Sequence, residues 1–202
     1  MATMHRHPEL DVADVVVQST VVTSSPARKA LAVVRIVFGL TFLWAFFDKL
    51  LALGFGTGAV TDDAGAKTGV DYFGDGAAWI NGGSPTEGFL KFGVADNNPF
   101  QGFYNSIGGA AFADALFMAG LLGIGLALTF GFGMRIAAAT GALLYLLMWT
   151  ASLPLSNNPI LDDHILGATT MVVLGLALAG DTWGVGKTWA TTHLVRQYPF
   201  LR

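Results

Sequence analysis

The side chains best placed for chemistry in this chain are ionisable residues in apolar surroundings. Arg35, Lys49 and Asp114 lie in or at the edge of long apolar stretches, and His164 stands near the start of another. A charge at membrane depth costs at least about 2.5 kcal/mol, so each such residue needs a partner, a path to water or a function. We predict that Lys49 and Asp114 form an ion pair and that His164 joins them.

Aromatic residues are expected to line the same cavity. Helical periodicity puts two cations and two rings of the first apolar helix on one stripe, which we expect to face the interior. The members of this stripe are Arg35, Phe42, Phe46 and Lys49. Asp48 is predicted to point the other way. Tyr145 and Trp149, four residues apart on a later helix, complete the predicted cavity.

Each of these residues also has a structural explanation. Arg35 lies about two turns from a membrane edge and can extend its side chain to water. Lys49 can simply mark the membrane interface, and Tyr145 and Trp149 fit an aromatic belt. Asp162 and the aspartate after it are better suited to capping a helix than to binding a metal.

The composition is that of a membrane protein. Of 202 residues, 53% are hydrophobic and only 12% charged, and the mean hydropathy is +0.56. The absence of cysteine excludes disulfides, thiol nucleophiles, zinc thiolates and iron–sulfur ligation by this chain. The net charge of -3 and the scattered basic residues argue against nucleic acid as a partner.

Resident cofactors are not expected. His164 is the only histidine near an apolar stretch, so this chain alone cannot supply two histidines to a haem. It has no Gly-x-Gly-x-x-Gly fingerprint and no phosphate-binding loop, which argues against a flavin or nucleotide site. We also predict no metal site.

Four apolar stretches are long enough, or nearly so, to cross a hydrocarbon core of about 30 Å. They cover residues 30–53, 108–130, 136–155 and 163–179. The predicted fold is therefore all-α, an integral membrane four-helix bundle. Residues 54–107 form a long glycine-rich outer loop, in which Ser84-Pro-Thr-Glu87 has the pattern of a capping box and predicts a short interfacial helix over residues 85–92.

Arg28 and Lys29 precede the first stretch, and further basic residues occupy the 131–135 connection and the C-terminal segment. The connections on the other side are mainly acidic. Because basic loops stay in the cytoplasm, we predict a multi-pass protein of the plasma membrane with both termini cytoplasmic. The predicted organisation is a tail over residues 1–28, a membrane domain over 29–180 and a tail over 181–202. No cleavable signal peptide is expected, and residues 14–22 are β-prone.

The segment Arg35-Ile-Val-Phe-Gly-Leu-Thr-Phe-Leu-Trp-Ala-Phe-Phe-Asp-Lys-Leu50 resembles the first-helix signature of the DoxX/DoxD membrane family. The shared features are an arginine, a glycine four residues later and a lysine near the outer end, here Arg35, Gly39 and Lys49. Asp48 departs from the small or polar residue more usual before the lysine. Residues 79–90 look like a segment of actinobacterial members, and the likeness covers about residues 28–180.

This resemblance implies a subunit of a quinone-linked membrane oxidoreductase. The family's DoxD subunit acts with DoxA to oxidise thiosulfate to tetrathionate and reduce a membrane quinone, so a DoxA-like partner is implied. The matching positions carry over Arg35, Gly39 and Lys49. With the charged residues analysed above, the predicted catalytic residues are Lys49, Asp114 and His164. The substrate or quinone would be bound by Arg35, Phe42, Phe46, Tyr145 and Trp149.

Two other functions remain open. The chain can be a non-catalytic adaptor or accessory subunit, whose outer loop docks a respiratory or detoxifying enzyme in the membrane. It can also be a small transporter or small-molecule binder. Self-association is left open by the sequence.

Overall fold

The computed structural model describes residues 16–156 and 158–202. Over these residues the chain is mostly helical, which confirms the coarse fold prediction. Its α-helices are α1 (Gln18–Val21), α2 (Ser25–Leu51), α3 (Gln101–Ile107), α4 (Ala111–Phe130), α5 (Met134–Ala151), α6 (Asp163–Leu176), α7 (Gly186–Ala190) and α8 (His193–Gln197).

Three helices, α2, α4 and α5, are long and apolar enough to span a membrane. The fourth apolar stretch forms α6, which has only 14 residues. At 1.5 Å per residue α6 is about 21 Å long, shorter than a hydrocarbon core of about 30 Å.

Local capping explains why the helices begin and end away from the predicted bounds. Helix α2 begins five residues earlier than the predicted stretch because Ser24 caps it, accepting a hydrogen bond from Ala27 N at 3.4 Å, and Pro26 occupies the first turn. Helix α6 ends at Leu176 rather than 179, since Leu178 is left-handed with φ 49°. A 3₁₀ turn then follows over Ala179–Asp181.

The long helices pack in antiparallel succession, α2 against α4, α4 against α5, and α5 against α6. Glycine allows the closest approaches. A β-carbon at Gly39 would lie 2.5 Å from Thr129 Oγ1, and one at Gly175 would lie 2.6 Å from the Ala138 β-carbon. The main apolar core among the helices includes Phe42, Phe46, Met118, Leu121, Leu128, Met171 and Leu174.

The helices have two distinct ends. We call the end where α2 and α5 finish the loop end; it carries residues 52–110 and the connection before α6. The opposite end, called the tail end, carries residues 16–24, the tight 131–133 connection and residues 177–202.

The loop-end segment contains structure that the sequence did not predict. Strands β1 (Ala59–Thr61) and β2 (Lys67–Val70) form a short antiparallel hairpin, an element that the prediction did not include. The helix predicted over 85–92 is a π-helix over Gly88–Gly93. The β-prone residues 14–22 are helical over α1 in their described part, because α1 packs at the tail end.

Candidate functional site

An aromatic cluster in the loop half of the helices brings together three of the predicted site residues. The ring of Tyr145 lies edge-on to Phe42, with centroids 5.7 Å apart, and to His164, with centroids 6.4 Å apart. Phe38, which the sequence analysis did not single out, contacts Tyr145 at 6.3 Å. We call these four residues the Tyr145 cluster; it joins α2, α5 and α6.

A glycine makes room for this cluster. A β-carbon at Gly167 would lie 2.6 Å from Cε1 of Tyr145, so the ring occupies space that any other residue on α6 would fill. Gly167 is three residues after His164, which places both on the face of α6 that meets Tyr145.

His164 is oriented by Asp162. Its Nδ1 lies 2.6 Å from Oδ2 of Asp162, while Oδ1 of the same carboxylate accepts hydrogen bonds from the backbone N–H groups of His164 and Ile165 at 3.0 and 3.1 Å. The predicted capping role of Asp162 is therefore confirmed. Because a carboxylate only accepts, Nδ1 carries the proton and Nε2 points away from Asp162.

The same contacts set the acidity of Asp162. Partial burial raises the pKa of Asp162, but hydrogen bonds from the His164 side chain and from Ile165 N lower it by more, so the net pKa is below the ordinary value. Asp162 is thus held as the carboxylate that fixes the histidine ring.

Two polar atoms of the Tyr145 cluster are left free for a ligand. Neither the Tyr145 hydroxyl nor His164 Nε2 has a hydrogen-bond partner among residues 16–156 and 158–202. Both residues are half-buried. The cluster can therefore offer a hydroxyl and an imidazole nitrogen to a planar molecule that lies against its rings.

Trp149 and Phe46 flank the cluster without forming its centre. Trp149, one turn beyond Tyr145 on α5, donates from Nε1 to the carbonyl of Ile160 at 2.9 Å and so ties down the connection before α6. Phe46 is buried in the main core one turn beyond Phe42.

Arg35 lies toward the tail end, about 10 Å along the axis of α2 from Phe42. Its side chain has no exposed surface, so it does not extend to water. Its guanidinium donates to the carbonyls of Leu128 and Thr129 at the end of α4 and to that of Trp183. A longer contact reaches the Thr182 carbonyl at 3.4 Å.

The predicted ion pair between Lys49 and Asp114 does not form, since Asp114 has other partners. Its Oδ1 accepts hydrogen bonds from the hydroxyls of Ser84 at 2.8 Å and Thr86 at 2.6 Å, and from Thr86 N at 3.2 Å. Asp114 is buried and fastens the start of the predicted capping box to α4. The capping contact itself forms, with Ser84 Oγ accepting from Glu87 N at 3.0 Å.

The orientation predicted for Asp48 is wrong. Asp48 is 2% exposed, because the chain after α2 folds back over it and its carboxylate accepts from the N–H groups of Phe55 at 3.0 Å and Gly56 at 2.5 Å. Lys49 is half-buried beside Gly56. Among the described residues Lys49 forms no ion pair or hydrogen bond, in contrast to Lys91, which pairs with Glu87 at 2.8 Å.

Sequence reasoning missed the polar residues that join distant segments. Asn98 donates from its amide to carbonyls at the end of α5, those of Thr150, Ala151 and Leu153. An asparagine before a proline is typical of a helix start, so its sequence position does not indicate a partner at the end of α5. At the tail end, buried Asp181 pairs with Arg202 at 3.1 Å.

Further comparisons bear on identity and on metals. Comparison with protein-family models, with curated proteins and with solved structures finds no match for the chain. In the described part of the chain, no group of three histidine, aspartate or glutamate side chains is arranged to hold a metal ion.

Proposed function

We propose that this chain is a DoxX/DoxD-like integral membrane protein and a subunit of a quinone-linked oxidoreductase. The observation that carries the proposal is the Tyr145 cluster, in which an oriented histidine and an unbonded tyrosine hydroxyl meet phenylalanine rings. The first-helix resemblance supplies the reaction class.

In this proposal α2, α4, α5 and α6 form a four-helix bundle across the plasma membrane, with the glycine-rich loop end outside. The packing of α6 along α5 supports a fourth crossing despite its length, because a short helix can be accommodated by local thinning. Both tails then face the cytoplasm. Reporter fusions should place both tails on the same side, whereas tails on opposite sides would contradict the fourth crossing.

The proposed site binds a quinone head against the half-buried Tyr145 and His164 side of the cluster, since the Phe42 and Tyr145 rings themselves are in contact. A quinone needs an apolar slot with donors at its carbonyls, and the free Tyr145 hydroxyl meets that need. His164 holds a proton for the second oxygen once it is protonated at Nε2, and Asp162 stabilises the resulting imidazolium from the other side of the ring.

The overall reaction in this proposal is balanced. Two thiosulfate dianions lose two electrons to form one tetrathionate dianion, and one quinone takes up those two electrons with two protons to form a quinol. Lys49, which forms no described hydrogen bond or ion pair and lies beside the Asp48 carboxylate, is the residue we assign to thiosulfate, since an anion near the loop end needs a cationic donor. A DoxA-like subunit is the proposed partner.

Asp114 and Arg35 are not placed at the reacting atoms. The Asp114 carboxylate is held by Ser84 and Thr86, and the Arg35 guanidinium is held by backbone carbonyls. We therefore assign structural roles to both residues.

The test is thiosulfate-dependent reduction of a quinone analogue in membranes with and without the chain. We expect activity to require the chain and to be lost in His164→Ala and Lys49→Ala. His193→Ala and Lys91→Ala are matched controls, because both residues are exposed and lie outside the cluster. Activity that does not depend on the chain, or that survives His164→Ala, would refute the catalytic proposal.

A second candidate, the non-catalytic adaptor, is favoured by exposed aromatic residues at the loop end. These are Phe55, Tyr72, Phe73 and Phe92, of which Phe92 is 80% exposed. Exposed aromatic surface is typical of protein or membrane contacts. If a respiratory or detoxifying enzyme binds here, Phe92→Ser should release it while leaving the unfolding temperature of the chain unchanged.

A further inference from the structure

A groove of about 310 Å³ runs between α2 and α6, which do not pack along each other. Its walls are Leu31 and Val34 of α2 and Thr169, Thr170, Val173 and Leu174 of α6. Its floor reaches the main core, because Leu174 is fully buried. The volume is at the lower end of the range of roughly 300–1,000 Å³ found for small-molecule sites.

The groove presents no free hydrogen-bonding group. The Thr169 hydroxyl donates to the carbonyls of Ile165 and Leu166, both at 3.0 Å, and the Thr170 hydroxyl donates to Leu166 at 2.8 Å. Both hydroxyls are thus satisfied within α6, and the surface left to an occupant is apolar.

The groove also lies well inside the apolar length of α2. Leu31 and Val34 are six and nine residues after the start of the helix, or about 9 and 14 Å along its axis. At that depth in a spanning helix, the surroundings are hydrocarbon.

The groove lies next to the Tyr145 cluster along α2 and α6. Phe38, one turn after Val34 on α2, contacts the Tyr145 ring. On α6, His164 lies five residues before Thr169, about 7.5 Å along the axis. The cluster and the groove are therefore the loop half and the tail half of one seam between α2 and α6.

We infer that this groove binds the isoprenoid tail of the quinone whose head occupies the Tyr145 cluster, an inference that rests on the proposed function. If the quinone head lies at Tyr145 and His164, its isoprenoid chain can run along α2 and α6 toward the tail end of the helices. The surface there lacks free polar groups.

Two neighbouring valines of α6 provide a matched pair of variants. Val173 lines the groove, whereas Val172 does not, and they are 51% and 47% exposed. Val173→Phe puts a ring into the groove, and Val172→Phe adds the same ring to the lipid-facing surface. Equal unfolding temperatures for the two variants would show that both fold. If Val173→Phe does not fold, Val173→Leu is a smaller replacement at the same position.

The experiment measures binding of two probes to the full chain in lipid nanodiscs by quenching of tryptophan fluorescence. The probes are a benzoquinone with a prenyl tail and tetramethylbenzoquinone, which has the head alone. We expect the wild type to prefer the prenylated probe by about tenfold, the size of effect that a few apolar contacts give. Val173→Phe should lose this preference without weaker binding of tetramethylbenzoquinone, and Val172→Phe should keep it.

The outcomes separate the inference from the proposed function. If Val173→Phe keeps the preference, or if the wild type binds both probes equally, the groove does not hold the tail. If neither probe binds, or if His164→Ala binds both as well as the wild type, the proposed quinone site is itself wrong. If a phospholipid with the same affinity displaces the prenylated probe but not tetramethylbenzoquinone, the groove is a general lipid site and the inference fails.

Discussion

Replacement of Arg35 by alanine should strongly destabilise the protein. Its guanidinium is buried and donates to the carbonyls of Leu128, Thr129 and Trp183. The first two belong to the last turn of α4, where carbonyls have no partner within the helix. A cation at this position also interacts favourably with the negative end of the helix dipole.

The magnitude follows from the carbonyls that the change would leave without a donor. Each buried carbonyl that loses its partner costs about 1–3 kcal/mol. Hydrogen bonds measured in a membrane protein average only about 0.6 kcal/mol, which lowers the estimate. For three carbonyls, Arg35→Ala should lower the free energy of unfolding by about 2–5 kcal/mol. Arg35→Lys should recover part of this loss, because one ammonium cannot reach both α4 and Trp183 with the same geometry.

Arg28→Ala is the matched control. Arg28 lies on the same helix and also donates to two carbonyls, those of Val22 and Thr23, but at the surface. We expect it to cost less than about 1 kcal/mol. The free energy of unfolding can be measured by denaturant titration in mixed micelles, followed by tryptophan fluorescence. Equal losses for Arg28→Ala and Arg35→Ala, or no loss for Arg35→Ala, would refute the reasoning.

Three further predictions concern the loop half. Asp114→Ala should lower the free energy of unfolding by about 1–3 kcal/mol and expose the adjoining loop to proteolysis, whereas Lys49→Ala should do neither. Gly167→Ala should displace the Tyr145 ring, seen as a changed tyrosine side-chain NMR signal, with no such change in Gly120→Ala, where a β-carbon meets open space. Since the pKa of Asp162 is lowered in the folded protein, its stabilising contribution is present at neutral pH and is lost only in acid, below about pH 4. The free energy of unfolding of the wild type and of Asp162→Asn should be measured against pH. If the difference between the two already disappears well above pH 4, the prediction is wrong.

The hydropathy of the sequence was enough to locate the long helices, because nearly every residue of a membrane-spanning helix must be apolar. Helical periodicity also placed Arg35, Phe42 and Phe46 on the buried face of α2. The same argument failed for Asp48, since periodicity treats the helix interface as the only buried surface. The chain after α2 covers Asp48 with the N–H groups of Phe55 and the next residue, and nothing in the pattern of α2 indicates that fold.

The partners of polar side chains were harder to predict. Lys49 and Asp114 are opposite charges at the same end of the helices, and charge alone suggests a pair. Asp114 instead binds Thr86 and Ser84, although the capping pattern assigned the Ser84 hydroxyl to its own segment. A loop contains more neutral hydrogen-bond donors than charged ones. A carboxylate covered by a loop therefore has many possible donors, and sequence spacing does not show which of them it binds.

The contacts of the polar side chains also separate structural positions from a candidate site. Buried carboxylate and amide groups at the loop end, those of Asp48, Asn98 and Asp114, bind backbone or hydroxyl groups that would otherwise lack partners. His164 is bound on one side only, and Tyr145 contributes its ring while its hydroxyl has no partner among the described residues. A polar group without a partner is costly in hydrocarbon. The Tyr145 hydroxyl and His164 Nε2 are not among the buried unpartnered atoms, so water can reach them, and the phenylalanine rings beside them also suit a ligand with an apolar, planar body.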